Sequence, residues 1–192
     1  MLLQSLVSGV ALAGLAAAQT PPGFTPEVKD RLDLIFGTKV ITVPGTALTR
    51  AETARQPVIG TSDVALNASG TYLWMMIDLD VPANFQNPSA GARRTNLHAM
   101  ISGFKPSGQV SNGVNTLTST ATGPIAYVGP GPPPENPPYA HRYVSLLYET
   151  NSTFSVSRTQ VGQTFGFNLA TFVAAVGLGQ PIRGNYFNVT GQ

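Results

Sequence analysis

Strand-length apolar segments separated by turn residues dominate the hydrophobic pattern of this 192-residue chain. Residues 71–82 form a nearly continuous apolar run bounded by turn sequences, which is typical of a strand buried on both faces. Shorter runs at residues 39–43, 97–103 and 141–149 are further strand candidates. The pattern therefore predicts several strands, with the longest one in the interior.

Two segments outside these runs receive different predictions. Residues 24–36 carry apolar side chains at helical spacing and precede Gly37, which predicts a short amphipathic helix. Residues 105–128 are rich in Ser, Thr, Gly and Asn. We expect a long surface connection there that ends in a short strand at residues 125–128.

A proline-stiffened loop runs directly into the strand that begins at His141. Proline fixes φ at about −65° and removes a backbone donor, so this loop cannot be a helix or a central strand. With a two-residue period, His141, Tyr143 and Ser145 share one face of the strand, and Arg142 lies on the other. The loop would thus deliver three polar side chains to one strand end, as a ligand pocket requires. The prolines of the loop are Pro130, Pro132, Pro133, Pro134, Pro137 and Pro138.

Two aspartates and the two histidines of the chain are the candidate chemical groups. Asp78 and Asp80 end the long apolar run at i and i+2, which predicts that both carboxylates lie on one side. The simpler alternative is that they mark the exit of the strand into solvent. His98 and His141 suit acid–base chemistry near neutral pH, but each could instead be a hydrogen-bonded structural histidine.

Composition narrows the function classes further. Charged residues make up 10% of the chain and the net charge is +2, so neither nucleic acid nor an anionic membrane is an expected partner. The sequence has no cysteine, which excludes disulfides and thiol chemistry. Two histidines and two aspartates could form a metal site, but their spacing lacks a constrained pair of histidine ligands. No metal or other cofactor is predicted.

The first 18 residues are typical of a secretory signal peptide. They contain no charged side chain and end in three alanines, a small-residue cleavage pattern. A transmembrane anchor is the alternative, but the apolar run is short for a bilayer. We expect cleavage near Ala18, secretion, a single domain over residues 19–192 and no transmembrane segment in the mature chain. Three sequons predict surface glycosylation, at Asn67, Asn151 and Asn188.

Three motifs in order along the chain resemble the phosphatidylethanolamine-binding protein family. They are Asp78-Leu79-Asp80-Val81-Pro82, His98 in a short strand, and Gly129-Pro130-Gly131-Pro132-Pro133 leading to His141-Arg142-Tyr143-Val144. The resemblance covers roughly residues 40–187. It implies a mainly β fold, an antiparallel β-sandwich of two packed sheets with a few short helices.

The resemblance also implies the family's site, a small anion-binding cavity. It assigns ligand binding to Asp78, His98, Gly131, Pro133, His141 and Tyr143. Imidazole and phenol donors would hold the oxygens of the anion, while a nearby carboxylate fixes a tautomer or keeps an imidazole charged. Arg142 would point away from the cavity, and we expect it to form a structural ion pair with Asp80. The chain departs from the family pattern at Leu79, at Asn96 and in the bulky residues 134–140, so we expect an altered cavity mouth.

Three function classes remain open on this resemblance. The protein would bind a small ligand that carries a phosphate head group, a carboxylate or an anhydride. Alternatively, it would inhibit a secreted serine carboxypeptidase. In the third class it would assist a biosynthetic enzyme of a fungal secondary-metabolite pathway of the maleidride type, in which anhydride or carboxylate monomers are coupled. The pocket residues support ligand binding most directly, and participation in catalysis stays open.

Overall fold

The structure, a computed structural model, describes residues 18–191. Within that range the chain forms ten strands and two short helices. The strands are β1 (Asp33–Phe36), β2 (Lys39–Ile41), β3 (Thr46–Leu48), β4 (Val58–Thr61), β5 (Thr71–Pro82), β6 (Arg93–Ser111), β7 (Val114–Thr118), β8 (Pro124–Ile125), β9 (Ala140–Thr150) and β10 (Arg183–Thr190). The helices are α1 (Arg158–Val161) and α2 (Leu169–Val176).

The strands form one hydrogen-bonded array in the order β2-β1-β4-β7-β6-β5-β9-β10-β3, with β8 paired to β6. Neighbours are antiparallel except β3 and β10, which run parallel. Strand β6 is 19 residues long. It pairs with β5 through its first part and with β7 through its last part, and so joins the two halves of the array. The predicted mainly β fold with short helices is confirmed, with a mixed sheet rather than a wholly antiparallel one.

Strand β5 lies at the centre of the core. Trp74 and Met76 pack in one cluster with Leu34 of β1 and Ile59 of β4, so the two halves of the array face each other across this cluster. Met75 points to the opposite face and belongs to a second cluster. The predicted burial of this strand on both faces is confirmed, because Trp74, Met75 and Met76 are all 0% exposed.

Helix α2 covers the second cluster. The Asn168 side chain caps its first turn by accepting a hydrogen bond from the Thr171 backbone N–H. Gly177 ends the helix in the left-handed conformation, which a residue without a Cβ adopts readily. Phe172 is buried against Phe167. Both faces of the sheet that carries β5 are therefore covered.

Two segment predictions are wrong. Residues 24–36 contain no helix, and Asp33–Phe36 instead form β1, whose four residues are buried between β2 and β4. A central strand needs apolar side chains on both faces, and this run happened to match helical spacing. Residues 105–128 are not a surface connection. Strand β6 continues to Ser111 and returns as β7 through Asn112 and Gly113, which both have positive φ, as a tight hairpin turn requires.

The predicted signal peptide lies outside the described residues, apart from Ala18. Among residues 18–191, no helix is long and apolar enough to cross a membrane. Asn67 and Asn151 are exposed. Asn188 is half-buried in β10, which is paired on both sides. Its side-chain amide, the atom that would carry a glycan, donates to the Gly45 carbonyl at 3.1 Å.

Candidate functional site

A cavity of about 230 Å³ lies where β5, β6 and β9 meet the proline loop. The structure places all six residues of the predicted ligand site on its wall: Asp78, His98, Gly131, Pro133, His141 and Tyr143. Six further residues complete the lining: Val81, Phe85, Asn96, Val128, Gly129 and Pro132. Segments that are far apart in the sequence thus converge on one hollow.

Strand pairing accounts for this convergence. Asp78 of β5 is paired with Asn96 on β6 and with Tyr143 on β9, so the three residues stand in a row across the sheet. His98 and His141 lie two positions from Asn96 and Tyr143 along the same strands. A two-residue period puts each histidine on the same face as its neighbour in that row.

His141 is held between two buried carboxylates. Its Nδ1 lies 2.9 Å from Asp78 Oδ2, and its Nε2 lies 3.2 Å from Glu135 Oε1. The side chains of all three residues are at most 3% exposed. An imidazole nitrogen must carry a proton to donate to a carboxylate. Because both nitrogens face carboxylates, the geometry makes His141 an imidazolium.

The surrounding charges keep this proton in place. Burial lowers the pKa of His141, but the hydrogen bonds and charges of Asp78 and Glu135 outweigh it, so the net pKa lies above its ordinary value. Glu135 is in turn bound by Arg93, whose Nη1 and Nη2 lie 2.8 and 2.7 Å from its two carboxylate oxygens. This bidentate pair lowers the pKa of Glu135. We call Asp78, His141, Glu135 and Arg93 the His141 network.

His98 and Tyr143 present further polar atoms to the cavity. His98 Nδ1 lies 2.8 Å from the Val128 carbonyl oxygen, so this nitrogen carries the proton and the lone pair is on Nε2. That Nε2 is 4.0 Å from Asp78 Oδ2, beyond hydrogen-bond distance. The two rings meet edge to face, with centroids 5.2 Å apart.

The Tyr143 hydroxyl is buried without a hydrogen bond of standard geometry to any described residue, although the Asp78 carboxylate and the Gly131 backbone are near. Burial, followed by the negative charge of Asp78, raises the pKa of Tyr143. The phenol therefore keeps its proton and is available as a donor. Tyr143 lines the cavity, so a partner for this proton would approach from that side.

The Asp80 carboxylate forms an ion pair with Arg142 and does not line the cavity. It accepts hydrogen bonds from the backbone N, Nε and Nη2 of Arg142, each at 2.8 Å. Burial raises the pKa of Asp80, but these hydrogen bonds lower it more, and the net pKa is depressed. The pairing expected from the sequence is thus present. We call it the Asp80–Arg142 pair.

Asp78 and Asp80 differ in their partners. Ile77 and Leu79 both pack in the second core cluster, so the side-chain alternation of β5 continues to Leu79, and the Asp78 carboxylate accepts a hydrogen bond from the Asp80 backbone N–H at 2.8 Å. Only Asp78 lines the cavity. Ser145, predicted on the same face as His141, is buried but does not line the cavity either.

Sequence reasoning missed Glu135, Arg93 and Tyr139. The Arg93 guanidinium lies 4.0 Å from the centre of the Tyr139 ring, a cation–π contact, so both residues support Glu135. The sequence did contain a signal, since Glu135 is the one acidic residue in the proline-rich segment 129–140. We expected residues 134–140 to alter the cavity mouth, but that expectation did not include a carboxylate that pairs with His141 and Arg93.

The lining combines hydrogen-bond donors with a protonatable nitrogen, a combination suited to an oxyanion. Among residues 18–191, no group of three or more His, Asp and Glu is arranged to hold a metal ion.

A family model described as phosphatidylethanolamine-binding protein matches residues 37–187, a range that includes every lining residue. The chain belongs to the phosphatidylethanolamine-binding protein family. The family resemblance seen in the sequence motifs is thereby confirmed. Phomoidride biosynthesis cluster protein N of Talaromyces stipitatus is a relative with 28% identity over 204 residues, which cover 97% of this chain and 98% of the relative.

Solved structures of the family have the same fold. Carboxypeptidase Y inhibitor, solved in complex with its cognate proteinase, matches with a TM-score of 0.63 and 15% identity over 86% of this chain and 85% of the other. The phosphatidylethanolamine-binding protein of Plasmodium vivax matches with a TM-score of 0.58 and 20% identity over 85% and 87% of the two chains. At these identities the likeness is one of fold.

Proposed function

We propose that this family member binds a small oxyanion, a carboxylate or a phosphate group, in the cavity. The Tyr143 hydroxyl carries the proposal, because it is a buried, protonated donor in a cavity-lining residue that makes no hydrogen bond of standard geometry to a described residue. Burying a donor without a partner costs about 1–3 kcal/mol. An oxygen of a bound anion would remove this cost, and His98 would add a second donor once its Nε2 is protonated.

Replacing Tyr143 tests this proposal against a matched control. Tyr148 lies on the same strand, and its hydroxyl is also buried without a hydrogen bond to a described residue, but it belongs to the second core cluster. Acetate and inorganic phosphate are titrated into each protein, and binding is followed by ligand-detected NMR. We expect Tyr143→Phe to weaken binding about 5- to 10-fold, the loss of one hydrogen bond, and Tyr148→Phe to leave it unchanged. Equal binding by Tyr143→Phe and the unmodified protein, or no binding at all, would contradict the proposal.

A biosynthetic role is the second candidate, favoured by the relative from Talaromyces stipitatus, which matches this chain over nearly its whole length. In this role the ligand is a carboxylate- or anhydride-bearing intermediate of a fungal secondary-metabolite pathway, and the protein assists a biosynthetic enzyme. Deleting the gene in its source organism and profiling metabolites tests it. We expect loss of a product that the Tyr143→Phe gene restores poorly and the Tyr148→Phe gene restores fully. An unchanged profile would reject this role.

We separately propose inhibition of a secreted serine carboxypeptidase. Only the likeness in fold to carboxypeptidase Y inhibitor supports this proposal. A peptidase assay with added purified protein tests it directly. Loss of peptidase activity at a molar ratio near one would support inhibition, and full activity at a large excess of protein would reject it.

Secretion and glycosylation are proposed from the signal sequence and from the exposed sequons at Asn67 and Asn151. Protein recovered from culture medium should lose mass on treatment with an endoglycosidase. Asn188→Gln should leave the glycan mass unchanged, because that side-chain amide is already hydrogen-bonded inside the sheet. Protein that is retained in cells and carries no glycan would contradict the proposed secretion and glycosylation.

A further inference from the structure

The ionised groups around the cavity cancel one another in the absence of ligand. Asp78 and Glu135 are paired with His141 and Arg93 in the His141 network, and Asp80 is paired with Arg142. Three negative and three positive charges therefore balance. The exposed Arg50 lies beside Gly131, where water screens its charge. The cavity thus has no spare buried cation for a ligand.

Glu135 is the reason why His141 is not that cation. The two N–H groups of the His141 imidazolium already donate to Asp78 and Glu135, so no donor of this ring is left for a ligand. Arg93 fixes Glu135 in place through both carboxylate oxygens. The Glu135 carboxylate therefore occupies the position from which an anion would accept a hydrogen bond from His141 Nε2.

His98 is the one cavity-lining group that can acquire a positive charge. Its Nδ1–H donates to the Val128 carbonyl, and its Nε2 lone pair is unused. The titratable groups around it are Asp78 on β5 and His141 and Tyr143 on β9. A proton on Nε2 would be stabilised by Asp78 Oδ2 at 4.0 Å and by a bound anion.

We propose that the cavity selects a singly charged carboxylate over a doubly charged phosphate, that binding is coupled to uptake of one proton by His98 Nε2, and that Glu135 sets this selectivity. The inference rests on the proposed function. A buried charge is tolerated only when an opposite charge compensates it. One proton taken from solvent compensates one carboxylate, whereas a phosphate dianion would leave one negative charge unpaired beside Asp78.

The size and walls of the cavity agree with this ligand class. A volume of about 230 Å³ suits a short-chain carboxylate, since a cavity of about 150 Å³ already holds benzene. Val81, Phe85 and Val128 supply apolar surface for the carbon chain. Phe85 and Val128 are 60% and 59% exposed, so they lie where the cavity meets solvent.

Calorimetry on the full mature protein tests the inference. Butyrate and methyl phosphate are titrated at about pH 7.5, where a phosphate monoester with a second pKa of about 6 is almost wholly a dianion, in two buffers with different heats of protonation. We expect uptake of about one proton per butyrate, which the difference in heat between the buffers measures. Phosphate should bind at least about tenfold more weakly.

Variants then assign the two roles. His98→Gln should bind butyrate without proton uptake. Glu135→Gln should improve phosphate binding at least about tenfold, because it removes one negative charge and weakens the hydrogen bond that occupies the His141 Nε2–H. Glu149→Gln is the matched control, since Glu149 is exposed near the end of β9, and it should behave like the unmodified protein.

The outcomes separate this inference from the function beneath it. Phosphate binding as tight as butyrate binding, or butyrate binding without proton uptake, would overturn the inference while the oxyanion function stands. Binding of neither anion would overturn both. The proton count and the selectivity of the unmodified protein decide the question even if Glu135→Gln fails to fold.

Discussion

Asp78 and Asp80 are two residues apart on one strand, are both buried, and have opposite roles. The Asp80 carboxylate accepts three hydrogen bonds of 2.8 Å from one arginine and a longer one of 3.5 Å from the Tyr139 hydroxyl. Asp78 instead binds an imidazolium whose other nitrogen binds Glu135. It also lines a cavity with the Tyr143 hydroxyl, which makes no standard hydrogen bond to a described residue, and with His98, whose Nδ1 binds Val128 while Nε2 stays available. The Asp80–Arg142 pair is closed, whereas the His141 network borders an open space.

This difference shows how a structural and a functional carboxylate can be told apart. The Asp80 carboxylate is 0% exposed and bound by Arg142, so removing this pair is expected to affect stability rather than ligand binding. The His141 network is itself well paired, but it borders Tyr143 and His98, which are not. Function in this comparison belongs to the neighbours with unused hydrogen-bonding atoms, and the charged network sets the charge that they can accept.

The largest expected effect comes from opening the closed pair. Arg142→Met leaves the Asp80 carboxylate, whose side chain is 0% exposed, buried without its counter-charge. Removing one partner of a fully buried pair costs about 3–5 kcal/mol; because the Arg142 side chain is 37% exposed and its backbone N–H still binds Asp80 in the variant, we expect a loss of about 3 kcal/mol in the free energy of unfolding, measured with urea. Arg55→Met, at an exposed arginine, should stay within about 0.5 kcal/mol. A loss below about 1 kcal/mol for Arg142→Met would mean that this pair is not a structural element.

A smaller loss is expected from the other network. Glu135→Gln keeps the shape of the side chain but replaces charge-assisted hydrogen bonds to Arg93 and His141, each worth about 1.5–3 kcal/mol. Because glutamine retains some of these contacts, we expect about 2 kcal/mol of destabilisation in the same urea assay. Glu149→Gln should be neutral. A Glu135→Gln protein as stable as the unmodified one would show that the buried Glu135 contacts contribute little.

The pH dependence of stability should separate the two networks. The pKa values of Asp80 and Glu135 are depressed, so their contribution is present above about pH 4 and is lost as the pH falls further. The pKa of His141 is raised, so its contribution is present below about pH 6.5 and is lost as the pH rises through the folded-state pKa. Melting temperature measured against pH should show both declines.

The same two variants sharpen that profile. Glu135→Gln should shorten the alkaline decline, because it removes one of the two carboxylates that raise the pKa of His141. Arg142→Met should leave that decline in place while changing the acid side. An identical alkaline decline in all three proteins would argue against a protonated His141 in the folded state.

The smallest stability effect is expected at the cavity wall. Tyr143→Phe removes a hydroxyl that makes no standard hydrogen bond to a described residue. We therefore expect the free energy of unfolding to rise or fall by less than about 1 kcal/mol. This variant combines intact stability with weakened anion binding, the reverse of Arg142→Met. A large loss of stability in urea would show that the hydroxyl already has a partner in the folded protein.

The part of the fold that could be predicted was the part with a local signal. The long apolar run of β5 predicted a buried strand, and the prolines before β9 predicted a rigid loop. The order of the three motifs indicated the family. Residues 24–36 misled, because a central strand carries apolar residues on both faces and their spacing can match a helix. The hairpin at Asn112-Gly113 does have a local signal, because this dipeptide favours a tight turn between two strands.

The site could be predicted as a set of residues but not as a charge arrangement. The motifs named the lining residues Asp78, His98, His141 and Tyr143. That Glu135 reaches His141, and that Arg93 reaches Glu135, depends on how a loop folds over the sheet, which no residue spacing encodes.

The central claim is that His98 and Tyr143 receive the ligand while His141 stays locked between two carboxylates. The chain has two histidines, so nitrogen-15 NMR of the imidazole rings can follow each one as acetate is added near neutral pH. We predict that the Nε2 resonance of His98 moves towards its protonated position while both nitrogens of His141 remain protonated and unchanged. A shift of His141 with His98 unaffected would contradict the account.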